Sequence, residues 1–334
     1  MNEITRSQLA AMLLITDAFA LFCFTGSISL MTVAGLSAGI LLQMALAVPL
    51  IKLGGIKVRA AYVFYLIYLI MWGGLLLEMQ WKTSKHIYIP YENSAGIWGK
   101  LLISGLIAAV CLYISSAGIK AMGRASVIAA FIGAICLLVA AVSGISHLDP
   151  ENFSRAESGR TLTEELITGF AVSGGTGSLA ILLGITKGRS LKNVSLYFIG
   201  KGILTAAVTL TAVSVAGGIM EITDFPVVTA AQVSQPFSSQ RIDSLFLIVF
   251  AIFAVFSIAV QTAASAYVLG ELFPEFVRFR SSVSLLLIIG AAFLLWKIPL
   301  NSGIIGIGAI MALFVIPFIV LICKSYGMQK GRVQ

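Results

Sequence analysis

Between Leu166 and Ile185 the chain reads LITGFAVSGGTGSLAILLGI, an apolar stretch long enough to cross a bilayer that carries Ser173-Gly174-Gly175-Thr176-Gly177 at its centre. A glycine costs about 1 kcal/mol relative to alanine inside a helix, so Gly174, Gly175 and Gly177 together favour an unwound turn. Peptide groups freed at membrane depth need an ion, a ligand or buried protein as partner. Interrupted spans of this kind build the midplane sites of secondary transporters for small polar solutes. The competing reading of clustered small residues is close helix packing, a role that suits the neighbouring Gly169 and Gly184.

The rest of the chain has the same apolar character. Of 334 residues 59% are hydrophobic and 11% charged, against roughly 25% charged in soluble domains. This composition defines a polytopic membrane protein. Apolar runs predict about ten spans, near 8–27, 29–51, 60–80, 98–118, 124–146, 166–185, 196–220, 242–269, 282–299 and 302–323. With the N-terminus inside, fifteen of the 22 Lys and Arg residues, Lys201 among them, fall on the inner side, and most acids, Glu165 among them, on the outer side. Both termini are therefore expected to face the cytoplasm of a bacterial cell. The net charge of +8 reflects this topology and contact with anionic lipid, and gives no reason to invoke nucleic acid. No cleavable leader is evident, so the first span is expected to be retained.

Five spans precede the hydrophilic connector His147 to Glu165, in which Asp149-Pro150 reads as a turn, and five follow it. An odd number of spans per half forces opposite orientation, so the expected fold is all-α: a five-plus-five inverted repeat, residues 1–146 and 166–323, within one transporter-like domain. Spans 1 and 6 then correspond, and both are expected to be broken, span 6 at its glycines and span 1 near Asp17. Between spans 7 and 8, Glu221 to Gln240 suggests a short amphipathic or re-entrant outer segment.

Asp17 is the acid placed deepest in a span, where a carboxylate costs about 2.5–3.5 kcal/mol on insertion scales. It either partners a substrate ammonium, a cation or a proton, or is kept neutral by local hydrogen bonds. In span 8, Ser257, Gln261 and Ser265 recur every four residues and form a polar stripe, and Lys201, Thr205 and Thr209 draw a similar line in span 7. Either stripe lines a site or hydrogen-bonds neighbouring helices. Tyr62, Tyr65 and Tyr68 are spaced by three in span 3 and could gate a pocket; Tyr62, near the membrane boundary, reads instead as an interfacial anchor. Cys23, Cys111, Cys136 and Cys323 lack paired spacing, and His86 and His147 lack a second ligand nearby, so neither metal nor cofactor is expected. The chain has no phosphate loop, no H-E-x-x-H helix and no histidine at membrane depth to activate a serine such as Ser173, which argues against an enzyme.

Three short segments, taken in order, resemble the spore germination permease family, the B subunits of nutrient germinant receptors. They are Gly118-Ile119-Lys120-Ala121-Met122-Gly123-Arg124, Phe225-Pro226-Val227-Val228, and Arg241-Ile242-Asp243-Ser244-Leu245-Phe246. The likeness runs from about Ala60 to Phe273. It implies the amino acid, polyamine and organocation transporter superfamily, a small-molecule germinant such as an amino acid, and A and C subunits as partners. In such folds the solute lies between helices 1, 3, 6 and 8, which here implies Asp17, Tyr65, Ser173, Gly174, Gly175, Thr176, Gly177, Ser257 and Gln261. The chain departs from the family where Thr25-Gly26-Ser27 passes almost directly into span 2. The alternative is a proton- or cation-coupled secondary amino-acid transporter.

Overall fold

Helix signals in the sequence translate directly into elements. The computed structural model describes residues 3–88, 96–144, 151–152, 161–188, 191–217, 223–233, 242–276, 279–298 and 302–330. The Asp149-Pro150 turn, most of its connector and Arg241 lie outside these residues. The first six helices are α1 (Arg6–Phe22), α2 (Leu30–Leu46), α3 (Val48–Leu53), α4 (Arg59–Tyr88), α5 (Gly96–Ser116) and α6 (Ile119–Gly144). Beyond the connector come α7 (Leu162–Ala171), α8 (Thr176–Leu182), α9 (Leu191–Ala216), α10 (Pro226–Val233), α11 (Ile242–Leu272), α12 (Arg280–Lys297), α13 (Ser302–Ile310) and α14 (Ile316–Lys330).

Seven helical stretches among the described residues are long and apolar enough to cross a membrane, and the bent pair α7 and α8 makes an eighth. The 17-residue α1 and the apolar segment Leu101–Ser116 of α5 stand at the two remaining places of the ten-span reading. The protein is an integral multi-pass membrane protein built of helices.

Span 6 breaks where its glycines lie: α7 ends at Ala171, α8 starts at Thr176, and the two halves differ in direction by 45°. Span 1 corrects the expectation of a second break. α1 runs unbroken through Asp17, because Arg6 to Phe22 contains neither glycine nor proline and is rich in Ala and Leu, the strongest helix formers. A capping box between Thr5 and Gln8 starts it, and every residue from Leu9 to Phe22 except Leu14 is buried. α1 is thus the central post, packed against α6, α9 and α11. The segment after span 7 forms the short helix α10, whose Pro226, Val227, Val228 and Ala230 are buried.

α2 lies along α7, with Gly35 and Gly39 of α2 facing Glu165, Leu166 and Gly169. Glu165, expected in an outer loop, is instead fully buried in α7, where Thr32 Oγ1 donates to its Oε1 at 2.8 Å. Thr32 also completes the capping box with Ser29 that starts α2. Thr32→Ala removes a bond to a buried carboxylate together with that cap, and is expected to cost about 2–3 kcal/mol in thermal unfolding.

The last span contains a π-helical turn, Met311–Val315, just ahead of Pro317. Proline has no N–H to offer the carbonyl four residues back, and a widened turn accommodates that loss. The Tyr65 hydroxyl donates to the Ala312 carbonyl in this turn.

Candidate functional site

The break exposes backbone groups at the centre of the bundle, and side chains from five other helices meet there. Asp17 of α1 is 4% exposed; its Oδ1 accepts the Gly175 N–H at 2.8 Å and its Oδ2 accepts the Tyr197 hydroxyl of α9 at 2.5 Å. Lys201, one turn along α9 from Tyr197, is also 4% exposed and places Nζ 3.2 Å from Asp17 Oδ2. The same ammonium donates to Ser173 Oγ at 2.7 Å and to Gln43 Oε1 of α2 at 2.9 Å, with the Tyr197 hydroxyl at 3.5 Å. Gln43 Nε2 in turn donates to Ser173 Oγ and to the Gly169 carbonyl. An intramembrane carboxylate and ammonium thus neutralise each other inside a cage of hydrogen-bonding groups, which is how such charges are held in an apolar medium.

On the opposite side of the break, α11 supplies Gln261, whose Nε2 donates to the Gly174 carbonyl at 3.0 Å while its Oε1 accepts from Ser178 Oγ. Ser257 Oγ reaches the Ile15 and Phe253 carbonyls, tying α11 to α1 rather than pointing at the break. The Thr176 hydroxyl donates to the Ser173 carbonyl and lies 3.4 Å from the Tyr68 hydroxyl.

The wall contributed by α4 is an aromatic stack. Tyr68 is parallel to Trp72 at a centroid distance of 6.4 Å, and Phe64 continues the stack. These rings pack directly on the glycines: a Cβ on Gly177 would sit 2.2 Å from the Tyr68 ring, and one on Gly174 2.8 Å from Trp72 Nε1. Glycine is required here for close approach. Trp72 is 3% exposed, and its indole N–H, aimed at the break, has no hydrogen-bond partner among the described residues.

The structure therefore gathers Asp17, Ser173, Gly174, Gly175, Thr176, Gly177 and Gln261 at one centre. It sets Ser257 one layer behind, at the junction of α11 and α1, and it turns Tyr65 away toward the last span. Tyr68 and Trp72, further along the same helix, face the break instead. Sequence reading singled out Tyr68 with Tyr62 and Tyr65 but placed Tyr65 at the site, and it missed Trp72, Tyr197, Gln43 and the central role of Lys201. Lys201 is corrected from an inner-surface charge to a buried one. The available signals were the Tyr197 to Lys201 spacing of one helical turn and a lone glutamine, Gln43, within an apolar span.

Two cavities bear on the site. A space of about 10 Å³ lies between Asp17, Gly169, Ser173, Lys201 and Thr205, so the polar centre is closed around its own side chains. The larger cavity, about 520 Å³, lies between α1, α6, α9, α10 and α11, where Thr211 is the only hydroxyl among the described residues that line it. Its edge residues Leu138 and Ile203 are strongly exposed on the outer face of the bundle, where lipid lies, so this cavity is unsuited to a polar solute. Among the described residues no three His, Cys, Asp or Glu side chains group as metal ligands.

No family model matches the chain, and no curated protein matches it. Solved structures do match, and they define the fold as that of a helical transporter. The chain is similar to Mhp1 in its inward-facing conformation, at 14% identity and a TM-score of 0.58, covering 93% of this chain and 76% of Mhp1. It is equally similar to Mhp1, described as a nucleobase-cation-symport-1 family transporter, in a closed conformation with bromovinylhydantoin bound. There the identity is 14% and the TM-score 0.59, covering 93% of this chain and 75% of that one.

Proposed function

We propose that this chain binds a small zwitterionic solute of the amino-acid kind at the break between α7 and α8, and that solute binding shifts the helices around the break between two arrangements. The observation that carries this reading is the pairing of opposite chemistries across one turn of backbone. On one side stands a carboxylate, Asp17, already holding an ammonium. On the other stands a buried indole N–H, Trp72, with no hydrogen-bond partner among the described residues, flanked by a tyrosine. A buried donor left unpaired is costly, so a solute acceptor that reaches it gains correspondingly. A solute carboxylate suits the Trp72 donor, and a solute ammonium suits the unwound carbonyls of the break. Entry requires the closed centre to open, which makes the site mobile by necessity.

The fold supports a secondary transporter, and we infer the division into halves 1–146 and 166–323 and the cytoplasmic termini on the same grounds. The resemblance of Gly118 to Arg124 and Phe225 to Val228 to the spore germination permeases supports a finer reading. In it the solute is a germinant, the membrane is that of a spore, and A and C subunits register the shift. Either reading uses the same pocket and needs no catalytic group.

The test is thermal unfolding of the purified protein against a panel of amino acids, polyamines, sugars and nucleosides, with Trp72→Phe beside the wild type. A ligand at a hundredfold excess over its dissociation constant stabilises by about 2.7 kcal/mol. An amino acid is expected to raise the unfolding temperature of the wild type, with the rise lost in Trp72→Phe, which keeps an aromatic ring in the stack and removes the donor. If no compound shifts the wild type, the solute site is refuted. Uptake by the protein alone in liposomes then separates transport from signalling through partners.

A further inference from the structure

Lys201 is surrounded in the way that a bound monovalent cation is. Its ammonium meets Ser173 Oγ at 2.7 Å, Gln43 Oε1 at 2.9 Å, Asp17 Oδ2 at 3.2 Å and the Tyr197 hydroxyl at 3.5 Å, and lies 5.6 Å from the centre of the Tyr197 ring. These four oxygens come from α9 itself, from α1, from α2 and from the break, so one positive charge joins the elements whose relative motion would open the site. Only one ligand, Asp17, carries negative charge, so a single positive charge neutralises the cage and a divalent ion would leave an excess. A lysine placed here for stability alone is a poor choice, because a buried ion pair gains little over apolar packing. Nor is the lysine an inner-surface anchor, since it is 4% exposed.

We propose that Lys201 is the resident cation of this cage: its tethered ammonium fills a site built for a monovalent cation, so the protein adopts its closed arrangement without a cation from solution. Removal of the side chain converts the cage into a binding site for a free monovalent cation of the sodium, potassium or primary alkylammonium class. The proposal deepens the solute reading but does not need a solute for its test.

The experiment is thermal unfolding of purified wild type, Lys201→Ala and the double variant Asp17→Asn/Lys201→Ala, with no solute present. Chlorides of sodium, potassium and n-propylammonium are compared at equal ionic strength with N-methylglucamine chloride. Alanine leaves out three methylenes and the amino group, which n-propylammonium replaces atom for atom. The expected result is a saturable, concentration-dependent rise in the unfolding temperature of Lys201→Ala with n-propylammonium or a metal cation. Wild type is expected to stay flat, as is the double variant that lacks the carboxylate. A folded Lys201→Ala that responds to none of these cations overturns the proposal. So does a response that persists in the double variant, or a wild type that is stabilised by sodium or potassium over N-methylglucamine. The wild-type comparison decides the matter even where Lys201→Ala fails to fold. A failed solute panel leaves these outcomes unchanged, which keeps the two readings separable.

Discussion

Asp17→Ala is expected to be among the most destabilising single substitutions in this protein, at about 3–5 kcal/mol, the range for removing one partner of a buried ion pair. The change strands three groups at once: the Lys201 ammonium, the Gly175 N–H and the Tyr197 hydroxyl, all of which now converge on the two carboxylate oxygens. Lys201 keeps Gln43 and Ser173, but neither carries a charge to offset its own. Replacing both partners, as in Asp17→Ala/Lys201→Met, is expected to recover most of the loss, since an apolar pair carries no desolvation cost. Thermal unfolding of the four members of this double-mutant cycle measures the coupling. A single variant within about 1 kcal/mol of wild type would show that the pair is not formed. The amino-acid response expected of the wild type should be absent from both the single and the double variant, which separates the site's chemistry from its stability.

A comparable effect is expected where the second half of span 6 is anchored. Gly55 has φ +94, and a Cβ there would meet Gly184 N at 2.4 Å and Gly184 Cα at 2.6 Å. Both obstacles are backbone, so no side chain can swing aside. Next to it, Ile56 N–H donates to the Ala180 carbonyl of α8 at 3.1 Å, and on the other flank Ile4 N–H donates to the Ile185 carbonyl at 3.2 Å while the Ile4 carbonyl accepts the Lys187 N–H at 2.9 Å. Gly55→Ala therefore combines a left-handed backbone with a rigid overlap, for an expected loss of about 2–5 kcal/mol. Gly290→Ala provides the control: it lies within α12 with nothing within 4 Å of the added methyl, and should be neutral or stabilising by up to about 1 kcal/mol. If the two variants unfold at the same temperature, the contact between Gly55 and Gly184 is not what holds the second half-helix in place.

Much of the bundle could be read from composition and periodicity because a bilayer leaves few choices. Apolar runs of about 20 residues must be helices there, and three glycines in four residues must weaken the helix that contains them. Asp17 was legible for the same reason, as an acid in a run with no other charge. Lys201 was not. Charge counting assigns lysines to the inner face, and nothing local distinguishes a lysine near the start of a span that reaches water from one that turns inward. Its inward course depends on Asp17 and Gln43, which belong to two other helices. The break in span 1 was inferred from symmetry with span 6. The local sequence, free of glycine and proline, prevailed over that inference because Asp17 is satisfied by its neighbours without unwinding its own helix.

The choice among the tyrosines of α4 shows the same division. Tyr65 and Tyr68 are three residues apart on an apolar helix, and the sequence holds them equivalent. Packing separates them: the π-helical turn ahead of Pro317 offers Tyr65 a carbonyl, while the bare glycines at 174 and 177 admit the rings of Trp72 and Tyr68. Hydropathy, backbone propensity and the cost of a charge in hydrocarbon are local quantities, and they define a helical membrane protein, the place of its interrupted span and the acid at its centre. Which lysine answers that acid, which aromatic side chains wall the break and which donor there stands unpaired depend on contacts between helices far apart in the chain, and no local pattern carries them.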